Sequence, residues 1–133
     1  MLHTLPGTEP GRAVAEARRV LARNGRAVLV GQDWDTILIE DDEPEFTRAA
    51  VHARNDAMPN PRVARRYRNL LLDNGFADVT VEVHTFVFTG PTILPMLGTM
   101  AQGDWLAEQA ELARDDRLFV AVPMFLVAGA RAD

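Results

Sequence analysis

A chain of 133 residues with a net charge of −5, 47% hydrophobic and 25% charged residues and no cysteine fits one soluble domain, residues 1–133, with a single modest core. The missing cysteine excludes disulfides, thiolate zinc sites and a cysteine nucleophile, and suits the cytoplasm. Net acidity argues against a nucleic-acid binder that works by neutralising phosphates, and no apolar run approaches the ~20 residues of a membrane helix.

The fourteen basic residues are all arginine, which reads as the coding bias of a GC-rich genome; the one basic cluster, Arg62, Arg65, Arg66 and Arg68, reads as a solvated helix face. From the N-terminus, the spacing predicts a helix over 8–23, with Val14, Ala17, Val20 and Leu21 on one face and Arg18, Arg19 and Arg23 off it. Asn24-Gly25 stops it, the glycine taking the left-handed conformation. Ala27-Val28-Leu29-Val30 is then apolar without alternation, the pattern of a strand over 26–31 buried on both faces.

The polar stretch Gly31 to Thr36 lies at the end of that strand, where α/β sheets place their ligand crevice. After Ile37-Leu38-Ile39, Asp42 caps a helix with Pro44 in its first turn and Glu45 three residues on. Its predicted apolar face is Phe46, Ala49, Ala50, Ala53 and Ala57, with His52 and Arg54 off it. The acidic run Glu40 to Glu43 has no histidine at ligand spacing, so helix initiation is preferred to a metal site. Asn60 and Pro61 open a further helix with the stripe Val63, Ala64, Tyr67, Leu70 and Leu71, ended by Gly75. Val79, Val81 and Val83 alternate with Thr80, Glu82 and His84 as a strand continuing to Phe88, with His84 at its surface. A helical stretch over 93–100, a helix over 104–114 and an apolar strand over 118–128, interrupted by Pro123, complete the chain.

The segment from Glu16 to Gly31 resembles the stretch of class I S-adenosylmethionine (SAM)-dependent methyltransferases that reads E-x-x-R-V-L-x-P-G-G-x-h-h-h and leads into the fifth strand of their seven-stranded sheet. Here Ala22-Arg23-Asn24-Gly25 replaces the usual Arg-Pro-Gly-Gly. Asn74-Gly75-Phe76-Ala77-Asp78-Val79 is similar to the family phrase h-x-x-A-G-F-x-x-h before the sixth strand, with Asn74 in place of alanine. The opening Leu2-His3-Thr4-Leu5-Pro6 is similar to h-L-x-H-h-P, with Thr4 at the histidine position and His3 one residue earlier.

The resemblance implies an α/β fold corresponding to the C-terminal half of a Rossmann-like methyltransferase sheet: three strands in the order five, seven, six, the last antiparallel, with four to five helices. No Gly-x-Gly-x-Gly or Gly-x-Gly-x-x-Gly occurs, so the glycine turn that brings backbone close to SAM is not encoded. The implied function is the substrate-side half of a small-molecule methyltransferase, with SAM as cofactor and active only if another chain supplies the SAM-binding half. The alternative is a non-methylating ligand-binding or cyclase-like biosynthetic protein, or a structural dimer, on the same half-fold. A fragment of a longer methyltransferase is a third reading.

By position in that fold, His3 and Asp33 are the candidate catalytic groups, and Trp34 and Asp35 the candidate substrate contacts. Methyl transfer is an in-line displacement from a sulfonium, so a protein aligns the acceptor and at most removes a proton. Met96 and Met100 could line an apolar acceptor pocket. Each has a plainer reading: the aspartates as turn formers, Trp34 and the methionines as packing. A strand over 26–31 at an open edge calls for a partner strand, from a second copy in a homodimer or from a complementary half.

Overall fold

A computed structural model describes residues 2–133. Its elements are α1 (Glu9–Val20), β1 (Arg26–Gln32), β2 (Leu38–Ile39), α2 (Pro44–Asp56), α3 (Tyr67–Asp73), β3 (Phe76–Phe88), α4 (Leu94–Leu97), α5 (Asp104–Arg114) and β4 (Val120–Arg131), with short 3-10 turns between some of them. The fold is mixed α/β. The strands form an open antiparallel sheet of four, in which β4 pairs with β1, β2 and β3.

The chain divides into two compact units. The first comprises Met1–Asp33, Met58–His84 and Pro123–Asp133. Its core is Val14 of α1, Val63, Ala64, Tyr67 and Leu71 from the third helical region, Phe76 of β3 and Val127 of β4, flanked by Ala27 and Leu29 of β1. Arg26 to Gln32 lie opposite Ala130 to Met124 in antiparallel register.

The expected left-handed residue at the end of α1 is Asn24, at φ 62°, rather than Gly25. Gly25 is needed for a different reason: a Cβ there would stand 2.8 Å from the Ala22 carbonyl oxygen. The helix also ends three residues before Arg23. Leu21 is already extended, and the Arg131 guanidinium donates from Nη1 to the carbonyls of Arg18 (3.1 Å) and Leu21 (2.5 Å). These are terminal carbonyls that a helix leaves unsatisfied, and a cation there also suits the helix dipole. The last residues of β4 hydrogen-bond to both turn glycines, Arg131 N–H to Gly25 O (2.8 Å) and Ala132 N–H to Gly75 O (3.1 Å).

β1 is not buried on both faces. Ala27 and Leu29 pack into the core, whereas Val28 and Val30 are 56% and 53% exposed. The apolar run reported hydrophobicity on two faces, but the first unit covers one. In β3 the alternation likewise fails to mark a buried face, since Val81 and Val83 are both exposed; Asp78, with φ 52°, interrupts the strand's regular conformation just before them.

The second unit comprises Trp34–Ala57 and Thr85–Val122. Leu38 and Ile39 of β2 pair antiparallel with Ala121 and Val120. Its buried residues include Trp34, Ile37, Val51, Ile93, Leu97, Trp105, Leu118 and Val120. Helix α5 occupies the predicted span. Helix α2 also falls where expected, but it buries Thr47, Val51 and Asn55 instead of the alanine face, and Phe46 is 48% exposed. The buried positions are four residues apart and two are polar, so hydrophobic periodicity could not find them. Their partners make burial tolerable: Thr47 Oγ1 donates to Asp41 Oδ2 (2.5 Å) and accepts from Trp105 Nε1 (3.1 Å), as a buried hydroxyl requires.

Candidate functional site

In the first unit, Asp33 closes β1 and is 1% exposed. A buried carboxylate is stable only when paired, and Arg65 Nε donates to its Oδ2. His3 lies in the 3-10 turn Leu2–Thr4, where its carbonyl accepts from Asn60 N–H at 3.0 Å. The Asn60 side chain does not cap a helix, as its sequence context suggested; its amide donates to Leu5 O (2.5 Å) and straps the N-terminal turn to the segment before α3. The two candidate catalytic residues thus both meet the segment 60–66, His3 through its backbone carbonyl and Asp33 through its carboxylate.

The second unit gathers more of the predicted residues. Trp34, the residue after Asp33, begins a 3-10 turn and is buried. The Arg54 guanidinium lies over its ring, 4.5 Å from the centroid, a cation–π arrangement. Arg54 Nε donates to Thr99 Oγ1 at 2.8 Å, and Thr99 Oγ1 donates to the Met96 carbonyl at 2.6 Å. Burial pushes the Arg54 pKa down from its usual value, because removing the guanidinium from water disfavours its charge.

Trp34 and Met96 are therefore linked through Arg54 and Thr99, although Met96 is tied by its backbone. Met100 is half-buried, and its N–H donates to Leu97 O at 2.9 Å. Asn55, fully buried one residue beyond Arg54, donates from Nδ2 to the Trp34 carbonyl and to Asp35 Oδ1 (3.1 Å).

Asp35 also borders a cavity of about 290 Å³, whose other walls are Ile37 to Ile39 and, from α2, Pro44, Thr47, Arg48, Val51 and His52. Arg48, His52, Arg54 and Asn55 were not singled out as site residues in the sequence. The only signal available was their i, i+4 and i, i+3 spacing, which an exposed polar helix face shares.

The residues present do not form the usual SAM cradle. Gly7 before α1 and Gly103 before α5 are left-handed with open space at their Cβ positions, but each stands alone, and a cofactor pyrophosphate- or ribose-binding turn uses several glycines between a strand and a helix. Among the described residues no group of three or more His, Asp or Glu side chains is placed to hold a metal ion, and no helix is long and apolar enough to cross a membrane.

No protein-family model matches the chain. Among curated proteins it is similar to an uncharacterized 37.1 kDa protein in transposon TN4556 of Streptomyces fradiae, at 41% identity over 81 residues; the match covers 60% of this chain and 24%, about a quarter, of the relative's length. Among solved structures it is similar to a protein of Bacillus halodurans C-125 provisionally assigned as a methyltransferase. The TM-score is 0.49 at 16% identity, over 99% of this chain and 61% of the other, less than two thirds of that protein.

Proposed function

We propose that this chain is the substrate-side, C-terminal half of a class I SAM-dependent small-molecule methyltransferase, whose SAM-binding half comes from another chain. The observation that carries this reading is the pairing of β4 with both β1 and β3, combined with the family-like phrases that lead into β1 and β3. On this reading β1, β4 and β3 take the places of strands five, seven and six. The exposed Val28 and Val30 support an edge that receives a partner, either a second copy or the complementary half. On this reading Asp33 and His3 of the first unit are the candidate proton-handling groups, and Trp34 and Asp35 of the second unit the candidate acceptor contacts.

The residues here supply no cofactor cradle, so none of their roles passes through SAM: they hold and orient an acceptor. Calorimetric titration of the purified chain with SAM, beside a light-scattering mass at micromolar concentration, tests the reading. The expected result is a mass above the monomer and no SAM binding by the chain alone. A monomer that binds SAM at micromolar affinity would overturn it, because this half would then be complete in itself.

A further inference from the structure

Among the described residues β3 has one neighbour in the sheet, β4, and no strand pairs with its other edge. Every residue from Thr80 to Val87 is exposed, Val81 by 48% and Val83 by 52%. Folded proteins blunt such an edge with lysine, proline, a bulge or a very short strand. From Val79 to Phe88 this strand has no lysine, proline or glycine, and its left-handed residue, Asp78, lies before that stretch. The edge is therefore long and open to a further strand.

The side chains select which strand fits. Glu82 and His84 are alternate residues, so they share one face of β3, and His84 Nε2 lies 3.3 Å from Glu82 Oε2. An identical strand brought up by a two-fold axis pairs antiparallel. A register slipped by one residue would set the valine row of one strand beside the Glu82–His84 face of the other. Of the registers that keep the faces matched, one centred on Glu82 sets carboxylate against carboxylate, and one centred on His84 sets imidazole against imidazole. Centring on Val83 sets valine against valine and Glu82 against His84 of the partner subunit, twice over. Cross-strand neighbours stand about 4.5–5.5 Å apart at Cβ. An imidazole N–H can donate to a carboxylate whether or not the ring is protonated.

We propose that two copies of this chain pair β3 to β3, antiparallel across a two-fold axis centred on Val83. The reciprocal Glu82–His84 contacts fix the register, and the valine rows of the two strands run on as one apolar strip. This assigns the second copy to β3 and leaves the outer edge of β1 for the complementary half of the methyl-transfer reading, on which the β3 contact does not depend.

The test is the dimer dissociation constant, from light-scattering mass over a dilution series of the full chain and of two variants, Glu82→Lys with His84→Lys, and His84→Glu. Both side chains are exposed, so the substitutions remove no core contact. The unaltered chain should be a dimer at micromolar concentration. Each variant alone sets like charges across the axis at two places and should dissociate about tenfold or more readily. An equimolar mixture of the variants sets lysine against glutamate at both places and should recover the dimer. That recovery cannot arise within one strand, because positions 82 and 84 of each variant still carry like charges. An unaltered chain that is monomeric, variants with unchanged dissociation constants, or a mixture that stays dissociated would overturn the proposal. A monomer that binds no SAM would overturn this contact alone, and a β3-paired dimer that binds SAM would overturn the half-enzyme reading alone, so the two fail separately.

Discussion

The Arg54 guanidinium sits 4.5 Å from the centroid of the Trp34 ring, which fixes the first residue after Asp33 against the C-terminal turn of α2. Its Nε bond to Thr99 at 2.8 Å orients the guanidinium plane. Replacing Arg54 by alanine removes both interactions and should cost about 1–2 kcal/mol of stability by urea denaturation. Arg54→Lys, with a cation but no planar fork, should lose less. Equal losses would show that the planar guanidinium itself, rather than the positive charge or the side-chain stem that lysine keeps, supports Trp34.

Asp33 and Arg65 should respond unequally. Asp33 is nearly inaccessible while the Arg65 side chain is 51% exposed. Arg65→Ala takes the arginine's charge away from a buried carboxylate and should cost about 3–5 kcal/mol. Asp33→Asn leaves a guanidinium that water can solvate, so its loss should be smaller, about 1–3 kcal/mol. Denaturation midpoints for the two variants check this order. The reverse order would mean that Asp33 is hydrated in solution and open to an acid–base role.

Gly31 lies where any side chain would enter the space of the Tyr67 ring, with a Cβ placed 3.2 Å from Tyr67 Cζ and nearer still to the hydroxyl. Gly31→Ala should destabilise by about 1–3 kcal/mol, as overpacking of a tight core does. Adding Tyr67→Phe should recover part of the loss, because the hydroxyl is the nearest atom. No recovery in thermal melts of the double variant would assign the strain to the backbone.

Burial also raises the Tyr67 pKa above its ordinary 10.0. The unfolded chain releases this proton first, so the stability that Tyr67 contributes is full below about pH 10 and is lost as pH rises through its higher folded value. Stability measured from pH 9 upward should fall, and Tyr67→Phe should flatten that part of the decline. An unchanged slope in the variant would assign the decline to other groups.

Gln109 on α5 is fully buried, and neither atom of its amide has a hydrogen-bond partner among the described residues. Burying an unsatisfied amide costs roughly 1–3 kcal/mol. Gln109→Met, close in shape and without that penalty, should raise the denaturation midpoint. A fall would indicate a water or ligand bound to the amide in solution.

Sequence periodicity placed much of the secondary structure because local spacing carries it: α5 at Asp104–Arg114, the start of β1 at Arg26 and the end of β3 at Phe88; it ran α1 three residues too far and read the 3-10 turn Val63–Arg66 before α3 as part of that helix. It also marked Trp34 and Asp35, because a polar stretch after an apolar strand is visible in one dimension. It misassigned the buried face of α2. Thr47 and Asn55 are polar letters whose burial depends on hydrogen bonds to Asp41, Trp105, Trp34 and Asp35, partners six to fifty-eight residues away. It overstated the burial of β1, since hydrophobicity shows which side chains gain from being covered, not whether anything in the chain covers them.

Spacing alone thus placed most of the elements and the strand-end stretch, since these follow from backbone preference and apolar pattern, while the α/β class was read from the family resemblance. Only the tertiary structure decided that Arg54 stacks on Trp34, that Arg65 pairs with Asp33 and that Arg48 and His52 share a cavity with Asp35. Each of these depends on side chains brought together by chain reversals, and a charged residue on a helix reads the same in sequence whether it faces water or a partner.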